Sequence, residues 1–244
     1  MSPVAAPEAR TWHDPTMAAV ALLLHGAGSC PGTARRLLGP AVPDGARPVA
    51  LAARGSVEDA VATLELAASG RRVALVAGVS LGAHAAALWA ARGGTADLLV
   101  LAMPAWTGGP GPVAALSASS AEEVRRRGRA ALLAELAARA PDDWVVDELR
   151  RGWATYDDDA LASALEVAAR SAGPTLDELA RVRSRTAVVA LADDPLHPEG
   201  VAHGWARAVP GARLAVVGRH APARDRGALG RAGTALLAAP DPAR

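Results

Sequence analysis

The sequence predicts an α/β fold in which a mostly parallel sheet is covered by helices on both faces and interrupted by an inserted helical lid. Three observations carry that expectation. Between residues 17 and 104, short runs that are apolar at every position alternate with helical patterns, as strands buried on both faces require. From about 105 to 182 only helical patterns appear. Alternation then resumes and continues to about residue 238. A chain of 244 residues suits one large domain with such an insertion.

Taken in order, Met17–Leu24 reads as a buried strand closed by His25-Gly26, and Pro31–Leu38 as a short helix stopped by Gly39-Pro40. Pro48–Ala52 is a second strand. Ser56-Val57-Glu58-Asp59 can cap a helix running to about Ala68. Arg72–Val79 is a strand, Leu81–Arg92 an Ala-rich helix ended by Gly93-Gly94, and Leu98–Met103 a further strand. Beyond a Gly/Pro-rich hinge at 108–112, Ser119 and Ser120 stand at capping-box spacing from Glu122 and Glu123, predicting a helix to about Ala140. Pro141, Asp157 and Pro174 open three more helices. Thr186–Ala192 and Arg213–Val217 are strands, separated by a helix at Glu199–Ala208 and followed by one over Ala223–Ala238. The resulting division is a core of residues 1–104 and 183–244 and a lid of residues 105–182.

Composition excludes several classes of function. The chain has 26 basic and 25 acidic residues and a net charge of +1, so it offers no field for collecting nucleic acid or an anionic membrane. Lys, Phe, Ile, Asn and Gln are absent, a bias that reads as a high-GC bacterial genome. Without Lys there is no Schiff-base chemistry and no ordinary P-loop. One Tyr and no Phe make a base-stacking platform improbable. Cys30 is the lone cysteine, which rules out an internal disulfide and a thiolate cluster for zinc. Residues 1–16 have no apolar stretch of the kind a signal peptide carries, and no apolar run approaches the roughly 20 residues of a membrane span. A cytoplasmic protein acting without cofactor or metal on a small molecule is expected, with neither nucleic acid nor membrane as partner and no indication of oligomeric state.

The chemistry-bearing residues lie where strands end. Gly78-Val79-Ser80-Leu81-Gly82 spans a strand-to-helix junction, where a sharp turn lifts a serine oxygen above the sheet at the positive end of the next helix. The alternative is a small-residue turn that serves packing alone. His25-Gly26-Ala27-Gly28-Ser29, after the first strand, can aim the Ala27 N–H at the same point as the Leu81 N–H, making an oxyanion site. A serine needs a positioned imidazole and a carboxylate behind it. Of six histidines, His220 directly follows a late strand and is the expected base. His25, His84, His203 and His13 read as structural. Asp194 ends the penultimate strand and precedes Pro195, which biases it towards extended backbone; it is the expected acid, with Asp193 as runner-up. His197 beside these acids suggests a metal ligand, but no further ligand is near in sequence.

With these residues the chain resembles the α/β-hydrolase superfamily. The resemblance spans nearly the whole length: loop His25–Ser29, elbow Gly78–Gly82, acid Asp194 and base His220, in the chain order Ser–Asp–His. It implies catalytic roles for Ser80, Asp194 and His220, oxyanion donors at Ala27 and Leu81, and a lid after the sixth strand of the family's core. Two departures concern subfamily: the usual N-terminal antiparallel hairpin is missing or vestigial, and Arg54-Gly55-Ser56 passes straight into a helix. The resemblance implies a serine hydrolase cleaving a small carboxylic ester or thioester. Lactone or C–C bond hydrolysis, perhydrolysis, and non-catalytic binding of a small molecule on the same fold stay open. Trp106, Trp144 and Trp153 can wall an apolar substrate pocket or fill the core of the lid. Arg125–Arg129, interspersed with acids, reads as a solvated helix face.

Overall fold

The structure, a computed structural model, describes residues 18–239; the readings of residues 1–16 and of His13 lie outside the described residues. Six strands form one wholly parallel sheet: β1 (Val20–Leu24), β2 (Arg47–Leu51), β3 (Val73–Val79), β4 (Leu98–Ala102), β5 (Arg185–Leu191) and β6 (Arg213–Val217), in spatial order β2-β1-β3-β4-β5-β6. Each expected strand is present to within about three residues at either end, and every described strand is parallel.

The period of two along a strand decides which helices cover which face. Val20, Leu22 and Leu24 of β1, Leu99 and Leu101 of β4, and Val188 and Ala190 of β5 face one layer. That layer is made of α2 (Val57–Ala68), α3 (Leu81–Ala91) and α9 (Glu199–Ala208). The intervening Ala21 and Leu23, Val100 and Ala102, and Ala187, Val189 and Leu191 face α1 (Pro31–Leu38) and α11 (Ala228–Ala238) on the other side. The inner strands β1, β3 and β4, apolar at every position, are covered on both faces, while the edge strands β2 and β6 are partly exposed. Ser56 and Asp59 cap α2 reciprocally, as their spacing predicts.

α3 is enclosed on all sides, with every residue from Leu81 to Ala90 buried. Its close approach to the sheet depends on two glycines. A Cβ at Gly78 would lie 2.1 Å from the Gly82 carbonyl oxygen, and one at Gly82 would lie 2.7 Å from those of Leu24 and His25. These contacts are backbone to backbone, so no side chain can swing away. Gly78→Ala is expected to cost about 3 kcal/mol, the upper range for overpacking. A urea midpoint equal to the parent's would overturn that.

Between β4 and β5 the chain is helical: α4 (Pro112–Arg127), α5 (Arg129–Arg139), α6 (Trp144–Trp153), α7 (Asp158–Arg170) and α8 (Leu176–Leu179). The expected helix from Ser119 to Ala140 is replaced by two. α4 starts seven residues earlier, where Pro112 supplies a ready-made first turn, and Gly128, at φ +83°, separates it from α5. The final helix also starts later than expected. A short turn, α10 (Ala221–Arg224), precedes it, and Asp225 accepts from the Gly227 N–H at 3.0 Å to break the run.

The helical segment has its own core of Ala121, Val124, Leu132, Trp153, Tyr156, Leu161 and Leu165. Its two ends are joined where Gly108 N–H donates to Pro174 O (2.9 Å) and Gly173 N–H to Gly108 O (2.7 Å). It rests on the sheet portion through specific bonds. Tyr156 Oη donates to Ser29 O (3.0 Å), and Arg54 stacks on the Tyr156 ring while donating to Thr155 O (3.1 Å). Arg36 grips the buried Glu148 carboxylate with both Nε (3.0 Å) and Nη2 (2.6 Å). Among the described residues no helix is long and apolar enough to cross a membrane.

Candidate active site

The chain runs from β1 outward to β2 and then returns to place β3 on the other side of β1. At such a reversal the loops leaving the carboxyl ends of the two neighbouring strands splay apart and leave a crevice. Here those loops are His25–Ser29 after β1 and the turn after β3. Ser80 stands at that turn with φ 56° and ψ −122°, a backbone disfavoured for a residue with a side chain. The conformation is held by Ser80 N–H donating to Ala102 O (2.9 Å) and by its carbonyl, which accepts from Ala83 (2.8 Å) and His84 (3.2 Å) as α3 begins. Gly26 presses against it: a Cβ there would sit 3.0 Å from Ser80 Cβ. Ala27 follows Gly26 directly, and Leu81 carries the first N–H of α3, which has no acceptor within its own helix.

The imidazole at Ser80 is that of His197, not His220. Ser80 Oγ and His197 Nε2 are 3.0 Å apart, and His197 Nδ1 lies 3.3 Å from Asp194 Oδ1. His220 instead begins α10 as an exposed residue. The reason is local. Asp194 Oδ1 accepts from the Leu196 N–H (2.8 Å) and the His197 N–H (3.1 Å), folding the four residues Asp194-Pro195-Leu196-His197 into a turn that brings imidazole back over carboxylate. Asp193, at φ 53°, turns the chain off the end of β5. Acid and imidazole thus share one loop, and the order serine, acid, histidine along the chain is retained. The sequence signal is the three-residue spacing of Asp194 and His197 at a strand end. Among the described residues no group of three His, Cys, Asp or Glu side chains is placed to hold a metal ion.

Of the two expected acids, Asp194 is the one that reaches the imidazole. Its side chain is 3% exposed, that of His197 14%. Burial alone would raise the Asp194 carboxyl. The hydrogen bond and charge of His197, the Leu196 N–H and the Arg219 guanidinium outweigh it and hold the group below its ordinary value. Arg219 Nη1 donates to Asp194 Oδ2 at 2.8 Å. With an ionised carboxylate accepting at Oδ1, the bonds fit the tautomer in which Nδ1–H points at Asp194 and Nε2 accepts from the Ser80 hydroxyl.

Three other histidines make contacts of their own. His25 is buried, with Nδ1 2.8 Å from Gly26 O, and burial lowers its pKa. His84, on α3, is fully buried between Trp106 and Trp205 (ring centroids 4.7 and 5.2 Å), and its Nε2 accepts from the Ala105 N–H at 3.0 Å. Burial, aided by the charge of His197, lowers its pKa to about 3. His203 pairs with Glu199 on α9 (3.1 Å).

A cavity of about 540 Å³ is lined by Trp106, Thr107, Val113, Leu116, Pro195 and Val201 among others; among the described residues its wall holds no charged group, and neither Ser80 nor His197 lines it. Pro195 and Pro198, which also lines it, flank His197 in sequence. Of the three tryptophans expected there, Trp106 lines the cavity and the others do not. Trp144 packs into the sheet layer containing α1 and α11, its Nε1 donating to Arg219 O (3.0 Å), and Trp153 fills the core of the helical segment. Both belong to α6, capped by Asp143, and its two ends bury their indoles in different layers. The basic run is ion-paired: Arg125 with Glu166, Arg126 with Glu123, Arg127 with Glu123 and Glu135, and Arg129 with Asp158.

No protein-family profile matches the chain, and no curated protein matches it in sequence. Solved structures do match in fold. A hydrolase from Pseudomonas aeruginosa PA01 is 23% identical with a TM-score of 0.67, the match covering 91% of each chain. An enol-lactonase from Burkholderia xenovorans LB400 is 20% identical (TM-score 0.61; 84% of this chain and 85% of that one). A thermophilic esterase from Thermogutta terrifontis is 18% identical (TM-score 0.61; 84% of each).

Proposed function

We propose that this chain, which has the α/β-hydrolase fold, is a serine hydrolase that cleaves small uncharged carboxylic esters or thioesters through an acyl-enzyme. The observation that carries the reading is the run of hydrogen bonds from Ser80 Oγ through His197 to the buried carboxylate of Asp194. His197 Nε2 takes the Ser80 proton as Oγ attacks the carbonyl carbon, and Asp194 holds the imidazole in the accepting tautomer and stabilises the imidazolium. The Ala27 and Leu81 N–H groups, at the positive end of α3, receive the developing oxyanion. His197 then gives its proton to the leaving alcohol or thiol. Water, deprotonated by the same imidazole, attacks the acyl carbon and returns Ser80 to its starting state. The cavity that Pro195 and Pro198 line, on the loop that carries His197, suits an apolar acyl or alcohol group, and residues 105–182 act as the cap over it. A lactone is an ester whose two halves stay joined, so the same steps open one, and the similarity to an enol-lactonase places lactones in the first substrate panel.

The test is intact mass after exposure to a fluorophosphonate. The parent protein is expected to gain one adduct and Ser80→Ala none. A well-folded parent that gains no adduct would remove the hydrolase reading and favour non-catalytic binding at the same cavity.

A further inference from the structure

Each oxygen of Asp194 has a separate task, and so does each oxygen of Asp143. Asp194 Oδ1 gathers the loop N–H groups and faces His197, while Oδ2 is taken by Arg219 Nη1 (2.8 Å). Asp143 Oδ1 caps α6 by accepting from the Val145 N–H (2.9 Å), while its Oδ2 is taken by Arg219 Nη2 (2.9 Å). The carbonyl of Arg219 accepts from Trp144 Nε1 as well (3.0 Å). One guanidinium therefore joins the loop after β5, the loop after β6 and the first turn of α6.

We propose that Arg219 is a positioning residue of this site, holding the Asp194 carboxylate in the orientation that serves His197 and locking α6 to it. The proposal rests on the reading of Ser80, His197 and Asp194 given above. A planar fork suits this task, because its two ends meet two carboxylates in fixed directions, whereas an ammonium acts as a point charge. The Asp194–His197 contact, at 3.3 Å, is the longest that Asp194 makes. It is accordingly the one most readily lost if the carboxylate turns.

Arg219 also sets how much of the carboxylate's charge His197 meets. Other titratable groups lie on the elements packed nearby. His84 faces it from α3, Asp143 lies behind Arg219 on α6, and Glu199 at the start of α9 is engaged by His203. Removing the guanidinium leaves Asp194 facing His197 with its charge unshared, which favours the imidazolium.

The experiment follows the His197 ring by NMR in histidine-labelled protein, the resonance being assigned with His197→Gln. In Arg219→Met the titration midpoint is expected to move up by about one pH unit relative to the parent. Phosphonate labelling of Ser80 at neutral pH is expected to slow by roughly 10- to 100-fold. Arg219→Lys, which keeps the charge, is expected to restore the midpoint but only part of the labelling rate. Should Arg219→Met fail to fold, Arg219→Gln gives the same reading. An unmoved midpoint in the uncharged variant would overturn the proposal. A midpoint that moves in a protein never labelled at Ser80 would uphold it and remove the hydrolase reading instead.

Discussion

His197→Gln is expected to lower ester hydrolysis and phosphonate labelling by roughly a thousandfold or more, the loss typical of a removed triad base. His220→Gln should stay within about threefold of the parent, the modest change of a substitution that touches no reacting group. The contrast follows from placement. One imidazole lies 3.0 Å from Ser80 Oγ with a carboxylate behind it, and the other is exposed at the start of α10. The reverse pattern, with His220 indispensable and His197 dispensable, would mean that the loop after β6 closes over Ser80 in the working enzyme. Steady-state rates on one activated ester, measured alongside labelling kinetics, separate the two results.

The second large effect concerns acid stability and resides in His84. In the folded chain this imidazole stays neutral down to about pH 3, whereas an unfolded chain protonates it near 6.5. Between those values the unfolded state binds a proton that the native state refuses. Stability therefore falls as pH falls, by about 1.4 kcal/mol per unit. From pH 6.5 to 4.5 that amounts to about 2 kcal/mol from one residue, the slope being half its full value at the start of the interval. Asp194 works in another window. Its carboxyl is depressed in the fold, so its contribution is complete above the unfolded value of 3.8 and is lost only as pH drops through the lower folded value. His25 is also lowered by burial and adds a slope of the same sign, but it is common to parent and variant. Urea denaturation at pH 7 and pH 4.5 is therefore expected to give a steeper loss for the parent than for His84→Gln, whose amide can still accept from the Ala105 N–H. Equal losses would show that His84 does not resist protonation.

The sheet is legible because its inner strands β1, β3 and β4 are apolar at every position, a pattern that burial on both faces explains. Ser80 was legible because Gly78 and Gly82 are demanded by backbone contacts too close for any side chain. Asp194 was legible as a charge at the end of a buried strand. Which imidazole lies against Ser80 is not legible, for a physical reason. His197 reaches Ser80 because Asp194 folds its own loop, an interaction inside four residues that neither hydrophobic period nor element order encodes. The boundary between α4 and α5 escaped for a similar cause. Capping-box spacing at Ser119 and Ser120 is a local preference, and the helix was started earlier by Pro112 and ended by Gly128. Trp144 and Trp153 carry no sequence mark that tells a cavity wall from a core, since both bury an indole.

Having acid and imidazole on one turn divides the site by contact order. Asp194 and His197 are three residues apart, so their pairing needs only the loop. The partnership with Ser80 spans 117 positions and exists only when β3 and β5 have both zipped onto β4. During refolding such distant contacts are the late and slow ones. Recovery of serine reactivity is thus a clock for completion of the central sheet, and it should lag behind any signal that reports the local turn alone.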